Sequence, residues 1–230
     1  MPGTSIDLNA DLGEEVTDDA ALLAVVTSAN VACGYHAGNA AIMRAVCEEA
    51  ARRGVAVGAQ VSYADREGFG RVARDVAPEV LRDQVADQVG TLAEIAGAAG
   101  TSVRYLKPHG ALYHRVLDDA EQAAAVLAGS GELPVLTTPG QLHDLAGRAG
   151  RRTFREGFPD RGYDAAGRLL PRSEAGALLV EADAIVAQAQ RLAAEVDSVC
   201  LHGDSPGAVG HARAVRAALE SAGWHLQPFC

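Results

Sequence analysis

The sequence predicts an α/β fold, a distorted or incomplete (β/α) barrel of about seven βα units. The chain has 230 residues, about the size of one α/β barrel. Short apolar runs alternate along it with longer stretches of helical periodicity. Polar, chemically capable residues gather after the strands, while the turns that follow the helices are bland. Residues 1–230 read as one barrel domain, because no low-complexity tract, fixed-period repeat or Pro/Ser-rich linker divides them.

The candidate strands are residues 5–8, 30–33, 55–59, 103–106, 133–136, 152–154 and 198–201. Each is short and rich in β-branched or apolar side chains, as expected of a strand covered on both faces. Between them lie helices. Asn39 is placed to cap one whose Met43, Val46, Cys47 and Ala50 recur at i, i+3, i+4, i+7, and Gly54 ends it. Pro78 opens another, with Leu81, Val85, Leu92 and Ala96 as its apolar stripe and Gly100 as its stop. Ser205-Pro206 starts the last, which carries Ala208, Ala212, Val215 and Leu219 on one face and stops at Gly223. Strands alternating with helices imply parallel pairing through right-handed crossovers.

Hydrophobic residues make up 48% of the chain but aromatics only 4%, so Ala, Val and Leu must fill the core. The formal net charge is −10 and no basic run occurs, which argues against nucleic acid as a partner. Nowhere do about 18 apolar residues run together, so no membrane span is expected. No basic segment followed by an apolar stretch and a cleavage site opens the chain, which points to the cytoplasm. The four cysteines lack CxxC spacing and read as free thiols.

The polar clusters carry the chemistry. Asn9, Asp11 and Glu14 follow the first strand, and Gly34, His36 and Gly38 the second. Gln60, Tyr63 and Asp65 follow the third, leading to Gly68-Phe69-Gly70-Arg71. The fourth runs into Lys107-Pro108-His109-Gly110, the sixth into Glu156, Asp160 and Arg161, and the last into His202-Gly203-Asp204-Ser205. Lys107 and His109 are two apart at a strand terminus, which places an ammonium and an imidazole on one side. That pair suits binding a carboxylate or phosphate with one group and moving a proton with the other. The last cluster leads into a helix N-terminus, which favours an anion. His114, His143, His211 and His225 sit in helical stretches or near the terminus and take no role. No Walker A motif and no GxGxxG fingerprint occurs.

Together these segments resemble the LamB/YcsF family, in the family's order and over nearly the whole chain. The matching stretches include Asp7-Leu8-Asn9-Ala10-Asp11-Leu12-Gly13-Glu14, residues 29–38, Gly68-Phe69-Gly70-Arg71, residues 107–113, Glu156 to Tyr163, Leu170-Pro171-Arg172 and residues 200–204. The resemblance implies a distorted barrel related to glycoside hydrolase/deacetylase barrels. It also implies ATP-dependent hydrolytic opening of the 5-oxoproline lactam to L-glutamate, with Mg²⁺ accompanying the ATP and companion subunits B and C as partners. On that basis Asp11, His36, Lys107, His109, His202 and Asp204 form the catalytic set, and Asn9, Gln60, Tyr63, Asp65, Arg71, Glu156, Asp160 and Arg161 contact substrate. Lys107 and Arg71 bind anionic groups. Asp11, His36 and His109 supply acid–base or metal-binding functions, and His202 and Asp204 orient the attacking water. Gln60 stands where members usually carry a His, and Asn39-Ala40 where they carry Asp-Pro. Two alternatives stand beside this reading. One is a metal-dependent deacetylase-like hydrolase using Asp11, His36 and His109 as ligands. The other is a degenerate, non-catalytic subunit that binds a small acid.

Overall fold

A computed structural model describes residues 4–205 and 207–230. Its strands are β1 (Ser5–Leu12), β2 (Ser28–Ala32), β3 (Ala56–Val61), β4 (Val103–Pro108), β5 (Val135–Thr137), β6 (Thr153–Gly157), β7 (Ser198–Leu201) and β8 (His225–Leu226). Its helices are α1 (Asp19–Leu23), α2 (Ala40–Arg53), α3 (Pro78–Ala98), α4 (Gly110–Asp118), α5 (Ala120–Gly129), α6 (Gln141–Arg148), α7 (Ala182–Leu192) and α8 (Ala208–Ser221). Strands β1 to β7 pair in parallel, and β1 meets both β2 and β7, closing a seven-stranded barrel. The short β8, which periodicity gives no hint of, pairs with the start of β1 at Ser5 and Ile6.

All seven expected strands form, but several run further than expected. β1 reaches Leu12, β3 Val61, β4 Pro108 and β6 Gly157. Asn9, Asp11, Gln60, Lys107 and Glu156 therefore lie within strands and not in the loops beyond them. The reason is the period of two. Along β1, Ile6, Leu8, Ala10 and Leu12 join the apolar layer, whereas Asp7, Asn9 and Asp11 bond to groups inside the barrel. Register places Asp11 beside Asn30 and Gln60 beside Lys107, so polar groups from neighbouring strands meet at one level.

Local signals set the helices as expected. Asn39 Oδ1 accepts from the N–H groups of Ala41 and Ile42 at 3.0 and 3.1 Å, and Gly54 closes α2 at φ +70°. Met43, Val46, Cys47 and Ala50 are buried beneath it. α3 begins at Pro78. α8 begins at Ala208, and Pro206, read as part of its start, lies outside the described residues. Gly58 is dictated by space: a Cβ there would collide with the Tyr105 ring, which crosses the barrel beneath it. No described helix is long and apolar enough to cross a membrane. All four cysteines are free thiols.

Candidate active site

The carboxyl ends of β1, β4, β6 and β7 place four groups at the floor of a pocket. Lys107 Nζ lies 3.1 Å from Asp11 Oδ1 and 3.1 Å from Glu156 Oε2, and donates to Cys200 Sγ at 2.9 Å. All four residues are buried. Asn30 Nδ2 donates to Asp11 Oδ1 at 2.9 Å and fixes the carboxylate from the β2 side. Burial opposes the charge of Asp11, but the charge of Lys107 above all outweighs it and holds the carboxyl well below its usual range. Burial likewise opposes the charge of Lys107, and Asp11, Cys200 and Glu156 raise its pKa well above that of a free lysine. Glu156 responds the other way: burial raises it, and Lys107 offsets only part. Burial also pushes the Cys200 thiol well up, so the sulfur stays protonated.

Beside this floor, Glu14, His36 and His109 converge. Glu14 Oε1 is 3.4 Å from His109 Nδ1 and 3.6 Å from His36 Nε2, and the two imidazoles stack with centroids 4.0 Å apart. Gln60 Nε2 points into the same space, 3.0 Å from Glu14 Oε1 and 2.9 Å from His109 Nδ1. His109 Nε2 bonds the Phe69 carbonyl at 3.1 Å. Since a carbonyl can only accept, that nitrogen carries the proton and Nδ1 presents its lone pair. Burial, then the neighbouring His36, keeps His109 neutral by depressing its pKa well below 6.5. Burial raises the pKa of Glu14, partly offset by His36.

The Phe69 loop is held under strain. Phe69 adopts φ +55°, unusual for a side chain of its size. Gly70 follows at φ +69° and its carbonyl accepts from Ala111 N–H at 2.8 Å. A Cβ on Gly110 would collide with that carbonyl, so both glycines are required by close approach.

Above the floor opens a pocket of about 260 Å³ with a cationic rim. Arg71, Arg161, Arg172 and His114 line it with Tyr113, Phe158, Leu169 and His202. Asp204 pairs with Arg71, and its Oδ2 is 3.6 Å from Arg172. One carboxylate thus serves two guanidiniums, leaving net positive charge at the mouth. Arg161 is aimed by main-chain carbonyls, those of Ala177 at 3.0 Å and Leu170 at 2.6 Å. His202 Nδ1 lies 3.0 Å from Asp160, and Phe158 stacks on the imidazole at 5.3 Å. Burial opposes the charge of Asp160, yet His202 outweighs it and holds the carboxyl below its usual range.

The structure brings Asp11, Lys107, His109, His202, Arg71 and Arg161 to one pocket, with Asp160, Asp204 and Glu156 behind them. His36 and Gln60 adjoin through His109. Three expected contacts fall elsewhere. Asn9 sits a layer deeper, bonding Asn30 and Ser198. Tyr63 is a core residue whose hydroxyl donates to Gln122 at 3.1 Å. Asp65 braces the Phe69 loop, accepting from Val72 N–H at 3.0 Å and from Arg74 at 2.6 Å. Asp11 also leaves the expected metal-ligand trio: its Oδ1 is engaged by Lys107 and Asn30, its Oδ2 is 3.9 Å from His109, and Glu14 stands in its place. His114, given no role from sequence, stands in the pocket wall. Glu14, Cys200 and Arg172 were visible as motif members, but nothing in spacing alone joins them to the site.

Fold and site together define a parallel βα-barrel protein with a buried acid–base floor at the carboxyl face of its strands. The LamB/YcsF family profile matches residues 6–230, and the chain belongs to that family. It is 51% identical to the A component of the 5-oxoprolinase of Streptomyces avermitilis over 97% of this chain and 99% of that protein. It is 50% identical to the corresponding 5-oxoprolinase component of Mycobacterium avium over 98% and 99%. Among solved structures it superposes on a lactam utilization protein from Thermus thermophilus with TM-score 0.91 at 34% identity, covering 97% and 99% of the two chains. A family 4 carbohydrate esterase from Streptomyces lividans shares the fold alone, with TM-score 0.52 at 14% identity over 98% and 91% of the chains.

Proposed function

We propose that this chain is the A component of a 5-oxoprolinase, which opens the 5-oxoproline lactam hydrolytically to L-glutamate at the expense of ATP. The observation that carries it is Lys107, an ammonium buried between Asp11 and Glu156 beneath a rim of three arginines. That arrangement suits a small anion with a reacting carbonyl. ATP, with its Mg²⁺, enters as co-substrate of an assembly that includes subunits B and C, and the cytoplasm, where these thiols stay reduced, is its setting.

A lactam carbonyl is a stabilised amide and a poor electrophile. Transfer of the γ-phosphoryl group to its oxygen, with ADP leaving, makes the ring carbon reactive toward water. Arg71 and Arg172 at the mouth hold the carboxylate or phosphoryl charge. Lys107 faces the phosphoryl-bearing oxygen and the negative charge carried by that group. His202, its Nδ1 turned to Asp160, takes a proton from water at Nε2 as the oxygen attacks. The same proton passes to the ring nitrogen as the C–N bond breaks, leaving a free amine and an acyl phosphate, and a second water hydrolyses that acyl phosphate to phosphate and the carboxylate. Glu14, His36 and His109 are the residues that fit a divalent cation, which when bound would supply Lewis-acid polarisation beside this floor.

The test is glutamate release from 5-oxoproline with and without ATP, using this chain alone and then with candidate B and C subunits. ATP-dependent release in the full mixture is expected. Silence from all three folded components together would overturn the proposal.

A further inference from the structure

We infer that Glu14, His36 and His109 form a binding site for one divalent transition-metal ion, with the Gln60 amide as its fourth edge. The geometry comes first. A tetrahedral ion with nitrogen and oxygen ligands about 2.0–2.1 Å away sets its ligands about 3.4 Å apart. Glu14 Oε1 is 3.4 Å from His109 Nδ1 and 3.6 Å from His36 Nε2, and the three ligand atoms all lie within 4.8 Å of one another. The two Glu14 separations are thus already those of a coordination shell, and a tilt of the stacked imidazoles, now 15° from parallel, would bring both lone pairs onto one ion.

The second observation is independent of spacing. Both ring nitrogens of His36 are buried without a hydrogen-bond partner, as is Gln60 Oε1. Leaving a buried polar atom unpaired is costly, and natural interiors rarely tolerate it without a function. An ion at the centre would receive the Nε2 lone pair of His36. A half-turn of the Gln60 amide, which exchanges two nearly isosteric atoms, would bring its oxygen to where Nε2 now stands, 3.0 Å from Glu14 and 2.9 Å from His109. The third is the outer partner. His109 donates Nε2–H to the Phe69 carbonyl, which fixes the tautomer so that Nδ1 faces the cluster. The strained Phe69 backbone is what aims that carbonyl.

Two imidazoles and one carboxylate favour Zn²⁺, Co²⁺ or a similar borderline ion over Mg²⁺, which demands oxygen ligands. This site is thus distinct from any Mg²⁺ that accompanies a nucleotide, and it stands whether or not the lactam reaction does. The probe is the metal alone. Purified chain, stripped with chelator, is titrated with Co²⁺ and Zn²⁺ and followed by calorimetry and by the visible absorption of four-coordinate Co²⁺. One equivalent is expected to bind, with His36→Ala and His109→Ala each weakening it about 100-fold or more and Gln60→His tightening it about tenfold. Glu14→Gln, close in shape, serves if either alanine variant fails to fold, and should weaken binding about tenfold or more. Absence of binding to the wild-type chain, or affinity unchanged in the folded variants, would overturn the inference. Turnover is not the readout, so a silent ring-opening assay leaves the metal result to be judged alone.

Discussion

Two polar layers lie one above the other inside the barrel, built partly on the same strand, and they are finished differently. In the lower layer every carboxylate oxygen has a partner. Asp7 accepts from Thr27 Oγ1 and Ser28 Oγ at 2.6 Å and from Ser198 Oγ. Asn9 donates to Ser198, Asn30 donates to Asn9 at 2.6 Å, and Tyr105 closes the network on Asn30 Oδ1 at 2.6 Å. The upper layer is charged and incompletely bonded. Both oxygens of Glu156 lack an aligned hydrogen bond despite the nearby ammonium, and His36 lacks any. Neutral hydroxyls and amides close a layer that only has to be stable, whereas ions with spare valences mark a layer left open for something else.

That contrast breaks most visibly at Lys107. Lys107→Met leaves Asp11 and Glu156 buried without a counter-ion and should cost about 3–5 kcal/mol in urea unfolding. It should also lower ATP-dependent glutamate release about 10³-fold. A variant that kept normal stability would show that the floor is not an obligatory ion cluster. Asp160→Asn is next. It keeps the shape but loses the carboxylate that orients His202, so kcat should fall about 10²-fold with KM little changed. An effect on KM alone would assign Asp160 to substrate binding.

In the lower layer the handle is pH. Burial, offset in part by its hydroxyl donors, raises Asp7 to about 6 from an ordinary 3.8. A carboxyl whose folded value lies above its unfolded one costs stability as pH rises from about 4 to 6. Asp7→Asn removes that titration, so relative to wild type it should gain on the order of 2 kcal/mol between pH 4 and pH 7. An unchanged difference between the two pH values would place the Asp7 charge in full compensation. The smallest effect is expected from Tyr105→Phe, which deletes the bond to Asn30 and should cost about 1–2 kcal/mol. Turnover of that variant should match wild type, and a large loss would join the two layers functionally.

Much of this was legible before folding. The alternation of apolar runs located seven strands, and the contrast between the turns at their two ends located the site. The strands run past the ends their apolar pattern predicts, for a physical reason. Asp11, Lys107 and Glu156 look like loop residues because an ion inside a sheet is normally prohibitive, and only barrel closure brings the opposite charge into reach. Lys107 and Cys200 meet across 93 residues of sequence, a distance that no local pattern spans. Tyr63 shows the converse error: it belongs to a polar-looking stretch, yet its ring is needed by the core and its hydroxyl finds Gln122. β8, two residues long, carries too little periodicity to be seen.

The pocket also has two unlike sides. On one, the Gly70 carbonyl is clamped to Ala111, and neither Gly70 nor Gly110 has room for a methyl group. On the other, Leu169, Pro171 and Arg172 belong to an irregular excursion from β6 to α7, tied across by the isolated pairings of Arg161 with Leu178 and Tyr163 with Leu169. A molecule entering the mouth meets clamped backbone on one side and irregular, bridge-tied backbone on the other. If a lactam occupies the pocket as proposed, discrimination by size is expected on the side of the glycines and tolerance for added substituents on the side of the arginine-bearing excursion. Analogues of the substrate enlarged on one edge or the other are therefore expected to sort sharply by which edge is altered.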